Sequence, residues 1–116
     1  MAADPVVPFP SLTFEQQKSG DTVTLVCHGR VVFDSIPALQ DKVRTAIAQA
    51  QAQTIVLDLS DVRYMDSSGL GALVGLYVSA KRNGKHLKLI NLSDRVLELL
   101  RLTKLITVFE GYGEYL

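Results

Sequence analysis

The chain contains one cysteine, no tryptophan and no excess of charge of either sign. Each scarcity excludes something. Cys27, being alone, cannot form an intramolecular disulfide and fits a reducing compartment. Within Val23-Thr24-Leu25-Val26-Cys27 it reads as a small packed strand residue rather than a reactive thiol. Lys plus Arg number 12 and Asp plus Glu number 12, so bulk charge argues for neither direct nucleic-acid binding nor an anionic membrane. No apolar run approaches the roughly 20 residues that cross a bilayer, so no membrane insertion is expected. Met1-Ala2-Ala3-Asp4-Pro5 lacks the basic and apolar regions of a secretion signal, and a cytoplasmic location is the expectation.

Chemical signatures are scarce too. Neither G-x-x-x-x-G-K-[ST] nor G-x-G-x-x-G occurs, so the usual phosphate-cradling loops are missing, and no G-x-S-x-G nucleophile elbow is present. His28 and His86 fall at the end and the start of different strands, without acidic or cysteine partners at ligand spacing. They read as solvated strand-end residues. A hydrolase needs a base and an orienting acid, and neither histidine supplies an obvious one. No metal, cofactor or enzymatic activity is expected.

What is present is one domain of ordinary globular composition, 47% hydrophobic and 21% charged over 116 residues. Residues 1–10 hold Pro5, Pro8 and Pro10 and read as an extended or mobile arm; 11–116 read as the folded domain. Leu12-Thr13-Phe14-Glu15 alternates, Lys18-Ser19-Gly20-Asp21 supplies turn chemistry, and 22–27 is β-rich, which predicts a hairpin ended by Gly29. Ser35 as N-cap and Pro37 in the first turn open a helix. Its apolar face is Ile36, Leu39, Val43, Ala46, Ile47 and Ala50, and it ends near Gln51. A buried strand over 54–59 follows, then a helix over 68–82. That helix has a core stripe of Leu70, Leu73, Val74, Tyr77 and Ala80, stopped by Asn83-Gly84. A strand at 87–91, a helix capped by Ser93-Asp94 and a last strand at 105–109 complete the order β-β-α-β-α-β-α-β. The fold class is α/β, with a mixed sheet and helices packed against it.

The richest stretch is Asp66-Ser67-Ser68-Gly69-Leu70-Gly71, at a strand-to-helix junction. Asp66 or Ser67 can accept a hydrogen bond from the free N–H groups of the first turn, worth about 1 kcal/mol. Gly69, Gly71 and Gly75 each weaken the helix by roughly 1 kcal/mol relative to alanine, which implies that something approaches its backbone closely. Gly71, Gly75 and Ser79 fall every fourth residue, a small-residue stripe that suits either internal packing or a partner. A helix N-terminus also favours an anion, by up to about 2 kcal/mol. A phosphate on Ser67 would add about −1.5 to −2 charges without unfolding the domain. Asp58 ends its strand as the acceptor of a phosphoreceiver does, but Asp34 alone and Ile90-Asn91-Leu92 do not supply the acidic pair and lysine such a site needs. Asp58 therefore reads as a turn former with Ser60-Asp61.

Thr54-Ile55-Val56-Leu57-Asp58-Leu59-Ser60-Asp61-Val62-Arg63-Tyr64-Met65-Asp66-Ser67-Ser68-Gly69-Leu70-Gly71 resembles the signature of STAS domains, specifically of bacterial anti-sigma factor antagonists. The resemblance runs over about 12–109. It implies partner switching: the unphosphorylated antagonist binds an anti-sigma factor that is also a serine kinase with a histidine-kinase-like ATP fold, and so frees a sigma factor. It also implies that the kinase phosphorylates the first serine of the motif, here Ser67, and that a metal-dependent serine phosphatase reverses the mark. Asp66 and Ser68 are then candidates for positioning Ser67 and contacting the kinase, within a partner surface that takes in Gly69, Asp34, Gly71 and Gly75. The chain departs from the pattern where many members have Gly-x-Leu-Asp: Gly29-Arg30-Val31-Val32-Phe33-Asp34 puts Val32 at the acid, so that either Asp34 substitutes for it or the partner differs. Gly111-Tyr112-Gly113-Glu114-Tyr115-Leu116 is too short and glycine-rich for the family's usual last helix, so a minimal version of the domain is expected. The alternative is a STAS module serving as a scaffold or as a subunit of a sensor or transport complex, with Ser67 only a cap.

Overall fold

A computed structural model of the chain describes residues 11–105 and 107. Strand β1 (Leu12–Ser19) turns at Gly20, whose φ is +61°, into β2 (Thr22–Val31), and the two pair antiparallel from Leu12↔Gly29 to Ser19↔Thr22. Then follow α1 (Ile36–Ala48), β3 (Thr54–Met65), α2 (Ser67–Arg82), β4 (His86–Ile90) and α3 (Asp94–Leu102). The sheet order is β1-β2-β3-β4, with β2–β3 and β3–β4 parallel. The sheet is mixed, as expected. The expected last strand at 105–109 lies mostly outside the described residues; Leu105 is in a turn and Thr107 is helical. The expected arm at 1–10 also lies outside them.

Alternation decides which side of the sheet is covered. Val23, Leu25 and Cys27 of β2 are buried, while Thr22, Thr24 and Val26 between them are half-buried. Central β3 buries Ile55, Leu57 and Leu59 and also Val56, as a strand flanked on both edges does. α1 and α2 pack on each other and on the sheet, and α3 packs on β3, so one core runs from Leu12 to Leu100. Burial, then the negative charge of Asp58, pushes the Cys27 thiol up to about 12, in keeping with a packed cysteine.

Three boundaries and one helix face differ from the sequence reading, each for a tertiary reason. β2 does not end at Gly29. That residue, at φ +123°, lies against β1, where a Cβ would meet the Ser11 carbonyl oxygen at 2.1 Å, and the strand runs on to Val31. β3 does not stop at Leu59, because the longer β2 pairs with it through Arg30↔Tyr64 and Val31↔Met65. The Asp58 carboxylate still accepts from Ser60 N–H (3.0 Å), a turn-type bond made inside a strand. α1 ends at Ala48 rather than near Gln51, since Gln49 is extended and the Lys85 ammonium donates to the carbonyls of Ile47 and Gln49; Ala50 is exposed. In α2 the buried residues are Gly69, Leu70, Ala72, Leu73, Leu76 and Ala80, with Val74 and Tyr77 only half-buried. α1 packs against α2, so α2 is covered by a helix as well as by the sheet.

Candidate functional site

Parallel pairing of β2 with β3 sets the ends of both strands side by side. The residues that follow them, 32–35 and 66–69, therefore meet at one end of the sheet, the usual place for a site in an α/β fold. Asp66 joins the two. Its Oδ1 accepts from Gly69 N–H (2.9 Å) and caps α2, and its Oδ2 accepts from Phe33 N–H (3.2 Å) in the other loop. Its own N–H donates to the Val31 carbonyl (3.2 Å). The sequence left the cap open between Asp66 and Ser67; in the structure it is Asp66.

Ser67 is consequently the first residue of α2, with an exposed side chain. Gly69 N–H goes to the Asp66 carboxylate and Leu70 N–H to the Asp66 carbonyl. Of the four N-terminal amides, those of Ser67 and Ser68 have no acceptor among the described residues. Gly69 sits beneath them, buried, where a Cβ would lie 2.3 Å from the Val31 carbonyl oxygen. Its close approach is internal: it seats α2 on the end of β2.

The other loop is held by Ser35, which the sequence suggested as a helix cap. No cap bond forms. Ser35 is 3% exposed, and its hydroxyl accepts from Val32 N–H (2.9 Å) and lies 2.8 Å from the Arg30 carbonyl and 2.9 Å from that of Val32, either of which can take its proton. A single 3-10 turn, Phe33–Ser35, leads into α1 and leaves Phe33 73% exposed.

Between the loops lies an open groove of about 650 Å³, whose walls include Phe33, Asp34, Ile36, Pro37, Ser68 and Gly71. Asp34, Ser68 and Gly71 thus come together, with Ser67 and Asp66 at the helix start beside them and Gly69 underneath. Gly75 lies one turn along α2 outside the groove. It and Gly71 are exposed, and a Cβ added at either would meet no atom within 4 Å. Sequence reasoning missed Phe33, although an aromatic side chain between a strand end and an acid was the available signal. It also read His28 as solvated. His28 instead bonds Asp61 and Glu15 from the neighbouring strands, partners 33 and 13 residues away that no local spacing reveals.

An α/β domain of this topology with an open groove at one sheet end has the form of a small binding module. The STAS domain model matches residues 13–114, and the chain belongs to the STAS domain family. Among its relatives is an anti-sigma-B factor antagonist of Bacillus subtilis, 38% identical over 82 residues that cover 71% of this chain and 73% of that protein. A crystal structure of a putative anti-sigma factor antagonist from Thermotoga maritima superposes with a TM-score of 0.74 at 25% identity, covering 82% of this chain and 81% of the other. One of an anti-sigma factor antagonist from Mycobacterium paratuberculosis gives 0.75 at 21% identity, covering 85% and 83%, and shares the fold. No helix among the described residues is long and apolar enough to cross a membrane.

Proposed function

We infer that this chain is a phosphorylation-switched binding protein of the anti-sigma factor antagonist type, acting in the cytoplasm and not as an enzyme. Unphosphorylated, it docks an anti-sigma factor that has serine kinase activity, and a sigma factor is freed. The kinase then transfers a phosphoryl group to the Ser67 hydroxyl, the complex parts, and a serine phosphatase restores the first state. The observation that carries this reading is the position of Ser67: exposed, first in α2, relieved of capping by Asp66, and beside the groove that holds Phe33, Asp34 and Ser68. The similarity to anti-sigma-B factor antagonists supports the class of partner.

The physical chemistry of a switch follows from that position. The unengaged Ser67 and Ser68 amides and the positive end of α2 accommodate a phosphate, so the free domain tolerates it. A partner seated over the junction has to desolvate the same charge, at a cost on the order of 3–5 kcal/mol when nothing compensates it. A loss of about 4 kcal/mol is roughly a thousandfold in affinity.

The test is incubation with candidate anti-sigma kinases and ATP, followed by intact mass and binding measurements. One phosphate is expected on the wild type and none on Ser67→Ala. Ser67→Asp is expected to keep the wild-type circular dichroism spectrum and to bind the kinase at least about tenfold more weakly, one charge standing in for the larger phosphate charge. Equal binding by wild type and Ser67→Asp would replace the switch with a phosphate-indifferent scaffold.

A further inference from the structure

His28 alternates with buried Cys27 and so projects from the opposite side of β2. There its imidazole lies between two carboxylates carried by the two flanking strands. Nδ1 is 2.7 Å from Oδ2 of Asp61 on β3, and Nε2 is 2.5 Å from Oε2 of Glu15 on β1. A neutral imidazole has one N–H, so only the protonated ring can donate to both carboxylates at once. When the proton leaves, a ring lone pair faces one of the carboxylates and that contact becomes repulsive.

The backbone around this cluster makes the side-chain bonds matter. The β2–β3 register shifts twice here, between Val26 and His28 and again between Gly29 and Arg30, so His28↔Asp61 is flanked by interruptions of the ladder. Among the described residues β1 is the edge of the sheet, and after Leu12 and Phe14 its residues are exposed. An edge strand with so little apolar cover depends on its cross-strand pairs.

We propose that Glu15, His28 and Asp61 form a proton-dependent clamp that ties edge strand β1 through β2 to β3 and loosens β1 as the solution becomes alkaline. The charged groups facing the imidazole are Asp61 from β3 and Glu15 from β1; behind them, Arg63 Nε lies 3.8 Å from the other oxygen of Asp61. The bond to Asp61, then that to Glu15, raises the His28 pKa above its ordinary value, and the same bond to His28 holds Asp61 below the usual carboxylate range. A histidine whose folded pKa is raised stabilises the fold fully below its unfolded pKa of about 6.5, and that stabilisation is lost as pH rises through the folded value.

The clamp is tested on the full chain by NMR titration of the His28 ring and by amide hydrogen exchange of β1. The ring midpoint is expected above about 6.5, and to fall in both Asp61→Asn and Glu15→Gln. β1 protection, corrected for the intrinsic pH dependence of exchange, is expected to hold up to about pH 6.5, to drop severalfold as pH rises through the His28 ring midpoint found in the titration, and to stay level in His28→Gln. A wild-type midpoint at or below about 6.5 overturns the proposal. So do parallel β1 exchange profiles in the wild type and His28→Gln. If His28→Gln does not fold, Asp61→Asn decides: an unchanged ring midpoint in that variant overturns the clamp.

Discussion

Asp66 holds the junction with one carboxylate, one oxygen capping α2 and the other accepting from the turn after β2. Replacing it with alanine removes a cap worth about 1 kcal/mol and leaves Phe33 N–H without its acceptor. The expected outcome for Asp66→Ala is a loss of about 1–2 kcal/mol in urea denaturation, with Phe33 and Asp34 amides shifted in the NMR spectrum. An Asp66→Asn variant keeps the cap oxygen but can set an amide donor against Phe33 N–H, so its stability is expected to lie between the two. In this arrangement Asp66 frees Ser67: because the acid takes the capping bond, the serine hydroxyl stays available on the surface. Ser35 is the reverse case, a residue whose type suggested a helix cap and whose burial gave it a loop to fasten.

At the scale of the element, α2 separates its three glycines into two kinds. Gly69 meets the end of β2 so closely that a methyl group has no room, whereas Gly71 and Gly75 face open space. Gly69→Ala is expected to destabilise by about 3 kcal/mol, at the upper end for overpacking, because the atom in the way is a backbone carbonyl. Gly71→Ala and Gly75→Ala are expected to gain up to about 1 kcal/mol each from helix propensity. Thermal denaturation of the three variants checks both signs. If the Gly71 and Gly75 variants are more stable yet bind the partner proposed above less well, those two glycines serve contact rather than folding. The strands teach a related lesson. β2 and β3 each run past the point where their own sequence signals an end, because each supplies hydrogen-bond partners to the other.

For the whole molecule, the arrangement separates stability from recognition. Leu57 is fully buried at the centre of the sheet, and Leu57→Ala is expected to cost 2–5 kcal/mol, an order-of-magnitude range of about that size for core truncations. Below its lowered melting temperature that variant is expected to give the same intact-mass result as the wild type after incubation with a candidate kinase and ATP, whatever that result is. The alternation of β2, the apolar run of β3, the helical spacing of α1 and α3 and the punctuation at Gly20 and Asn83-Gly84 are local signals, and the α/β class and the order of the described elements follow from them. The junction motif was local as well, carried by the consecutive positions from Asp66 to Gly71. Whatever depends on contacts between distant residues was decided by the tertiary structure alone. That includes the meeting of Phe33 and Asp34 with Ser68, the bond from Phe33 N–H to Asp66, and the placement of His28 between Glu15 and Asp61. For the contacts that join β2 and its following turn to β3 and α2, the physical reason is the parallel register of β2 and β3. It sets residues 33 apart in sequence within hydrogen-bonding distance, and no period of helix or strand along the chain encodes that.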